Sequence, residues 1–267
     1  MSFPTHTAVR YVVPLREGGS MPAVVDTDEG GLFVAKFRGA GQGAPALVAE
    51  LVVGGLAQAA GLPVPELALI ELDAAFGRTE PDPEIQDILR GSHGLNVGLR
   101  YLEGAFPYDP VAAPDLVSPE LAANLVWFDA YTTNIDRTPR NPNLLIWQRA
   151  LRLIDHGAAI YVHHNWSNFD ANRIHAPFPP IRDHVLLPRA GDLEAADARM
   201  TDRLDAAVVR EVLAAVPDAL LMDAPEGKAP PFDSAAAARA QYVEYLAGRL
   251  AAPRRFVDHA IAAQDDL

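Results

Sequence analysis

The chain contains no cysteine, so neither a disulfide nor a thiolate metal site is open to it. Positive charge is scarce as well. Lys and Arg number 22 against 35 Asp and Glu, a formal net charge of −13. A broad basic surface for nucleic acid is therefore not expected. The deficit does not speak against a nucleotide, because a few local cations and magnesium hold phosphates on an acidic protein. Long hydrophobic runs are also missing. Glu50, Gln58 and Pro63 interrupt the most apolar region, which leaves no stretch able to span a bilayer. Met1-Ser2-Phe3-Pro4-Thr5-His6 shows no basic segment followed by an apolar one, so no secretory signal is expected. Together these absences predict a soluble cytoplasmic protein.

Several chemistries lack their motifs. No HExxH occurs, and His156, His163, His164, His175 and His184 match no standard zinc spacing. His163-His164-Asn165-Trp166 reads as a structural turn with an aromatic anchor, or as part of a substrate-side surface. Gly-x-Ser-x-Gly is absent, which removes support for an α/β-hydrolase triad. Gly227-Lys228 is followed by Ala229 and preceded by no Walker loop.

What is present begins with a core. At 267 residues and 49% hydrophobic, the chain can fill one large domain or two lobes around a cleft. Val9–Pro14, Ala23–Asp26 and Leu32–Phe37 read as strands, with a glycine turn at Arg16-Glu17-Gly18-Gly19-Ser20. Lys36 is a lone cation among apolar residues in the third strand. A helix over Ala46–Ala60 follows, carrying Glu50 and stopped by Gly61 and Pro63. Leu67–Leu72 is a further strand, Glu84–Arg90 a short helix and Leu95–Leu102 another strand. The proline-rich stretch Ala105–Asp115 is the candidate boundary between lobes. Beyond it, Ser118-Pro119-Glu120 starts a helix with Leu121, Leu125 and Phe128 facing the core. Asp129 lies in that helix, where it either supports the loop beyond it or faces solvent. Thr201 is expected to cap a helix bearing Leu204, Val208, Val212 and Val216. Ser234 or Asp233 should cap Ala235–Ala251, and a last helix covers about Arg254–Ala263.

The most informative segment runs from Asn134 to Gly157. Asp136 is followed five residues later by Asn141, and Asp155 comes just after the next apolar run. Phosphoryl transfer of the kinase type needs such a set: a carboxylate to orient the attacking hydroxyl, and an amide with a second carboxylate for magnesium. Leu144–Trp147 and Leu151–Ile154 read as a hairpin turning at Gln148-Arg149-Ala150, which would fold Asp155 back towards Asn141. A polar loop with an ordinary hairpin would show the same residues. The upstream half of the chain favours the chemical reading. A glycine turn at Gly18, Gly19 and Ser20 can lay N–H groups over phosphates. Lys36 can contact the α- and β-phosphates, with Glu50 holding its ammonium. Tyr101-Leu102-Glu103 would be the connector whose backbone meets adenine.

These residues carry a resemblance. Lys36 in its strand, the helix around Glu50 running to Gly61-Leu62-Pro63-Val64-Pro65, the loop Asn134-x-Asp136-Arg137 with Asn141, and Asp155 resemble the HipA-like kinase family. The family is related in fold to protein and phosphoinositide kinases. The resemblance covers about residues 9–160. It implies an α+β, bilobal protein-kinase-like fold: a small β-rich N-lobe with one helix over 1–104, and a larger, mainly helical C-lobe over 105–267. ATP and magnesium would lie between the lobes. It further implies Lys36 on phosphate, Glu50 supporting the nucleotide site, Asp136 as the catalytic aspartate, and Asn141 and Asp155 as metal ligands. Thr138 stands where related loops often carry His, and the metal tripeptide reads Asp155-His156-Gly157. The chain is shorter than the toxin kinases of that family, which have an additional N-terminal domain. These departures count against a toxin role and against an inherited protein substrate; the acceptor the resemblance implies is a Ser/Thr side chain of a protein, with a small-molecule alcohol left open. The phosphate acceptor is a hydroxyl group whose identity the residues do not specify. Phosphorylation of Ser20 by the protein itself would be a means of self-inhibition.

Two other readings use the same residues. The first is a nucleotide-binding pseudokinase or scaffold that does not turn over. The second is an NAD-dependent oxidoreductase, because Gly39-Ala40-Gly41-Gln42-Gly43-Ala44 fits the G-x-G-x-x-A dinucleotide fingerprint after a strand and before a helix. Against it, Glu71 and Asp73 arrive about thirty residues on instead of the usual ~20. Lys36 would also sit in a strand buried on both faces.

Overall fold

The structure, a computed structural model, describes residues 1–15, 21–28, 31–41, 43–78, 80–224 and 229–267. The chain opens with strands β1 (Thr5–Pro14), β2 (Ala23–Thr27) and β3 (Leu32–Lys36), then helix α1 (Gly43–Ala59). Strand β4 (Leu67–Leu72), helix α2 (Pro83–Arg90) and strand β5 (Gly94–Arg100) complete the N-terminal part. The five strands close into a barrel in the order β1-β2-β3-β5-β4. Closure depends on β1. It starts four residues before the expected Val9, and Thr5–Thr7 pair in parallel with Leu69–Glu71 of β4. The rest of β1 pairs antiparallel with β2, with register shifts between Ala8 and Arg10 and between Tyr11 and Val13. Such irregularities bend a strand enough to serve two neighbours. Small residues let the barrel fill: a Cβ on Gly98 would come within 2.6 Å of Ile70 Cγ1. Ala8, Ala23, Val25, Phe33, Ala35 and Ile70 form the core inside.

Helix α1 shows why its apolar spacing is irregular. Nearly every side chain from Ala44 to Ala57 is buried, so no face needs to be polar. Gly54 lets Leu67 of β4 approach, and Gly55 lets in Val212 from the other side. The helix ends where Gly61 takes φ +72°, the left-handed conformation that suits glycine after a helix.

Strand β6 (Phe106–Pro107) and helix α3 (Pro119–Thr132) begin the second part. Ser118 accepts a hydrogen bond from the Leu121 N–H at 3.2 Å, as a helix cap should. Strands β7 (Leu144–Trp147) and β8 (Ala150–Leu153) form the hairpin, and β6 pairs alongside β7. The turn holds two residues rather than three. Gln148 and Arg149 both have positive φ, and Ala150 already pairs with Trp147. A series of 3₁₀ turns between Tyr161 and Arg189 leads to α4 (Leu193–Arg203), α5 (Ala206–Ala215), α6 (Asp218–Leu221), α7 (Ala235–Leu250) and α8 (Arg255–Asp265). Thr201 does not cap a helix. It lies inside α4 and donates its hydroxyl to the Asp197 carbonyl. Asp192 caps α4, Asp205 caps α5, and Ser234 caps α7. One apolar core runs from α1, β4 and β5 through α3 to α4, α5, α7 and α8. Among the described residues no helix is long and apolar enough to cross a membrane.

Candidate functional site

Lys36 ends β3 and pairs with Val97 of β5, while α1 carries Glu50 behind it. Its ammonium donates to Glu50 Oε2 at 2.7 Å and to Asp155 Oδ1 at 2.5 Å. Glu50 Oε2 also accepts the His156 backbone N–H at 2.8 Å. Strand, helix and the loop after β8 are therefore tied at one point. Three of the residues singled out by sequence meet there, although Lys36 and Asp155 lie far apart along the chain. Asp155 has φ +56°, a strained choice for a side-chain-bearing residue and a common mark of functional loops.

The charges in this knot are coupled. Burial works against the Lys36 ammonium, but Glu50 and Asp155 outweigh it and hold its pKa above that of a free lysine. Burial alone would raise Asp155; Lys36 beside it overrides that and leaves the carboxyl below the usual carboxylate range. Glu50 lies wholly out of solvent, and burial pushes its carboxyl up against the pull of Lys36. His156 is also buried, and burial together with Arg137 lowers its pKa to about 3. Its imidazole is neutral at pH 7.

Asp136 lies on the loop beyond α3, which leaves the helix through Thr133 at φ +54°. Asp136 is half-buried, and its Oδ2 accepts from Asn141 Nδ2 at 2.9 Å and from Asn143 Nδ2 at 3.2 Å. The hairpin links this loop to Asp155. Asn143 and Ile154 extend the β7–β8 ladder, with the Ile154 N–H bonded to the Asn143 carbonyl at 3.1 Å. The side chain of Asn141 turns to Asp136, and that of Asp155 turns to Lys36.

Beneath the loop lies a cluster centred on Asp129, which supports the loop and does not face solvent. Asp129 of α3 is fully buried and takes hydrogen bonds from Arg137 Nε, from His184 Nε2 at 2.9 Å and from Asn134 Nδ2 at 3.1 Å. The Leu186 N–H donates to His184 Nδ1 at 3.1 Å, which leaves Nε2 to carry the proton offered to Asp129. Burial opposes ionisation of Asp129, but Arg137 and His184 hold its carboxyl far below the ordinary carboxylate range. Arg137 spans on to the Asn143 carbonyl at 2.6 Å. Arg137 and Asn143 lie inside the same motif as Asp136 and Asn141. Asn143 offered one faint signal, since asparagine tolerates left-handed backbone. His184 comes from a distant turn and gave none.

The connector residues are placed by their backbones. The Tyr101 N–H bonds to the Leu32 carbonyl, the Leu102 carbonyl accepts from Ala105 N–H, and the Glu103 carbonyl accepts from Trp147 Nε1. Leu102 is buried, while Tyr101 and Glu103 are exposed. Gly18, Gly19 and Ser20 fall outside the described residues. Trp166 packs edge-on to Tyr242, and His163 Nδ1 meets the Tyr242 hydroxyl at 3.2 Å.

The dinucleotide reading fails on topology. A Rossmann unit needs β3 and β4 as parallel neighbours, whereas β3 lies between β2 and β5, antiparallel to both. Gly39 serves packing instead. A Cβ there would come within 2.6 Å of the Ile88 carbonyl at the end of α2, and its N–H is bonded by Ser92 Oγ.

The model of the HipA-like kinase family matches residues 9–251. The crystal structure of a Helicobacter pylori proinflammatory kinase, CtkA, is similar in fold. The TM-score is 0.56 over 98% of each chain, at 11% sequence identity. No curated sequence matches the chain.

Proposed function

Since this chain belongs to the HipA-like kinase family, we propose that it transfers the terminal phosphoryl group of ATP, with magnesium, to a hydroxyl acceptor. The observation that carries this reading is the buried Lys36 ammonium held by Glu50 and Asp155 at 2.7 and 2.5 Å. A cation fixed in that way is a ready contact for phosphate oxygens, and a point charge suits the role. In this reading residues 1–104 form the nucleotide-side lobe and 105–267 the helical lobe. The glycine turn at Gly18, Gly19 and Ser20 covers the phosphates, and Tyr101, Leu102 and Glu103 border the adenine.

The donor set fits magnesium. The Asp155 side chain remains 42% exposed despite its bond to Lys36, and Asn141 is exposed. Both offer oxygen, the ligand type magnesium prefers. The bound metal would neutralise charge on the transferring phosphate. Asp136 is the group to orient the acceptor hydroxyl and take its proton. Lys36 steadies the phosphates, and Glu50 keeps Lys36 in place.

Ligand-induced stabilisation tests the reading. A ligand that binds only the folded chain adds about 2.7 kcal/mol at one hundred times its Kd. For a protein of this size that raises Tm by roughly 5–10 °C. ATP with magnesium should produce the shift, and NAD should not. Asp155→Ala should remove the magnesium-dependent part. A strong shift with NAD and none with ATP rejects the proposal, and an ATP shift without phosphate release would mark a pseudokinase.

Lys36 and Glu50 should also behave as one unit. In a double-mutant cycle on ATP turnover, Lys36→Met with Glu50→Gln should cost much less than the sum of the single losses, because neither acts without the other. Strict additivity would dissolve the pair as a functional unit.

A further inference from the structure

Three amides meet Asp136. Asn134 Oδ1 accepts its backbone N–H at 3.1 Å, while Asn141 and Asn143 hold its carboxylate, and of those two the one that lies off the Asp-to-Asn spacing of the motif holds it at more points. Asn141 makes a single bond to Oδ2 from an exposed side chain. Asn143 is 8% exposed, and its Nδ2 donates to the Asp136 carbonyl at 2.7 Å as well as to Oδ2 at 3.2 Å. One amide thus bridges the backbone and the carboxylate of the same residue, which limits rotation of the carboxylate.

Asn143 is itself held from two sides. Its carbonyl accepts from Arg137 Nη1 at 2.6 Å and from the Ile154 N–H at 3.1 Å. Arg137 is anchored on Asp129, and Ile154 precedes Asp155. Its φ of +49° places it in the left-handed region, which asparagine accepts more readily than most residues.

We propose that Asn143 is a positioning residue that orients the Asp136 carboxylate, carrying the rigidity of the buried Asp129–Arg137 pair to the reacting end of the loop. Asn141 is then left to turn towards magnesium without releasing Asp136. This assignment rests on the phosphotransfer reading, because it gives Asp136 a hydroxyl to orient.

Steady-state ATP turnover with Asn143→Gly, Asn143→Asp and Asn141→Ser tests it. Glycine keeps the left-handed backbone without strain, so N143G should melt close to wild type while lacking the amide. N143D keeps the shape and faces the Asp136 oxygens with a carboxylate oxygen, and it decides the matter where N143G melts early. Both should lower kcat by about ten- to a hundredfold, the scale of a misplaced reacting group, with KM for magnesium-ATP near wild type. N141S should instead raise the magnesium concentration needed for half-maximal rate. Folded N143G with wild-type kcat, or with a raised KM and unchanged kcat, overturns the assignment alone. A wild-type protein without any turnover overturns the phosphotransfer reading and this assignment with it.

Discussion

Asp136→Ala should lower turnover by about a hundredfold or more, the usual scale for a positioned acid–base group, while binding magnesium-ATP almost as the parent does. The carboxylate is half-buried at the end of a loop and already shaped by two amides. Its contribution comes when the acceptor hydroxyl attacks and its proton must leave. A group that acts there and not in the resting complex lowers kcat and kcat/KM together, leaving KM largely alone. Lys36 and Glu50 are untouched by the substitution, so the phosphates keep their cation. The measurement is steady-state turnover beside nucleotide-induced Tm shift on the same preparation. Wild-type turnover in the variant would remove Asp136 from the chemistry and return the loop to an ordinary turn.

How far such a site is legible depends on the range of the interactions that make it. The strands carrying Lys36 and the helix carrying Glu50 are local patterns, and so are the hairpin and the start of α3. Each is set by side-chain alternation, turn residues or a cap within a few positions. The meeting of Asp155 with Lys36 is not local in this sense: the hairpin turns Asp155 back towards Asn141, and the contact with Lys36, 119 residues away, needs the loop after β8 to pack on α1. Barrel closure was not legible, because Thr5–Thr7 pair in parallel with β4 through contacts that leave no periodic trace. Helix α4 escaped notice for a different reason. Only Leu193, Ala196 and Met200 are buried along it, too few for a clear stripe. Thr201 then looked like a cap for the residues beyond, whereas Asp205 occupies that role with a side chain bonded to both Ala207 and Val208 N–H groups. His184 shows the limit most clearly. Its importance lies entirely in a buried carboxylate 55 residues away.

That carboxylate should prove the most costly residue to alter for stability. Asp129→Asn keeps the shape but leaves the Arg137 guanidinium without its counter-ion, and Arg137 is itself only 1% exposed. Breaking a buried pair from one side costs roughly 3–5 kcal/mol, because the remaining charge stays out of water. The pH dependence gives an independent check on the cause. The folded-state pKa of Asp129 lies below its unfolded value, so the unfolded chain binds the proton first as pH falls. Its contribution is therefore complete above the unfolded carboxyl range, near ~4, and fades as pH drops through that range towards the lower folded value. The stability gap between parent and D129N, read from urea unfolding, should be full at pH 7 and narrow below about pH 4. A second substitution separates charge from packing. Arg137→Met in the D129N background removes the stranded cation, so the double variant should recover part of the loss instead of adding to it. A D129N loss under about 1 kcal/mol, the level of an exposed ion pair, would mean that water reaches the pair. The Asp129–Arg137 anchor beneath Asn143 and Asp136 would then be no anchor at all.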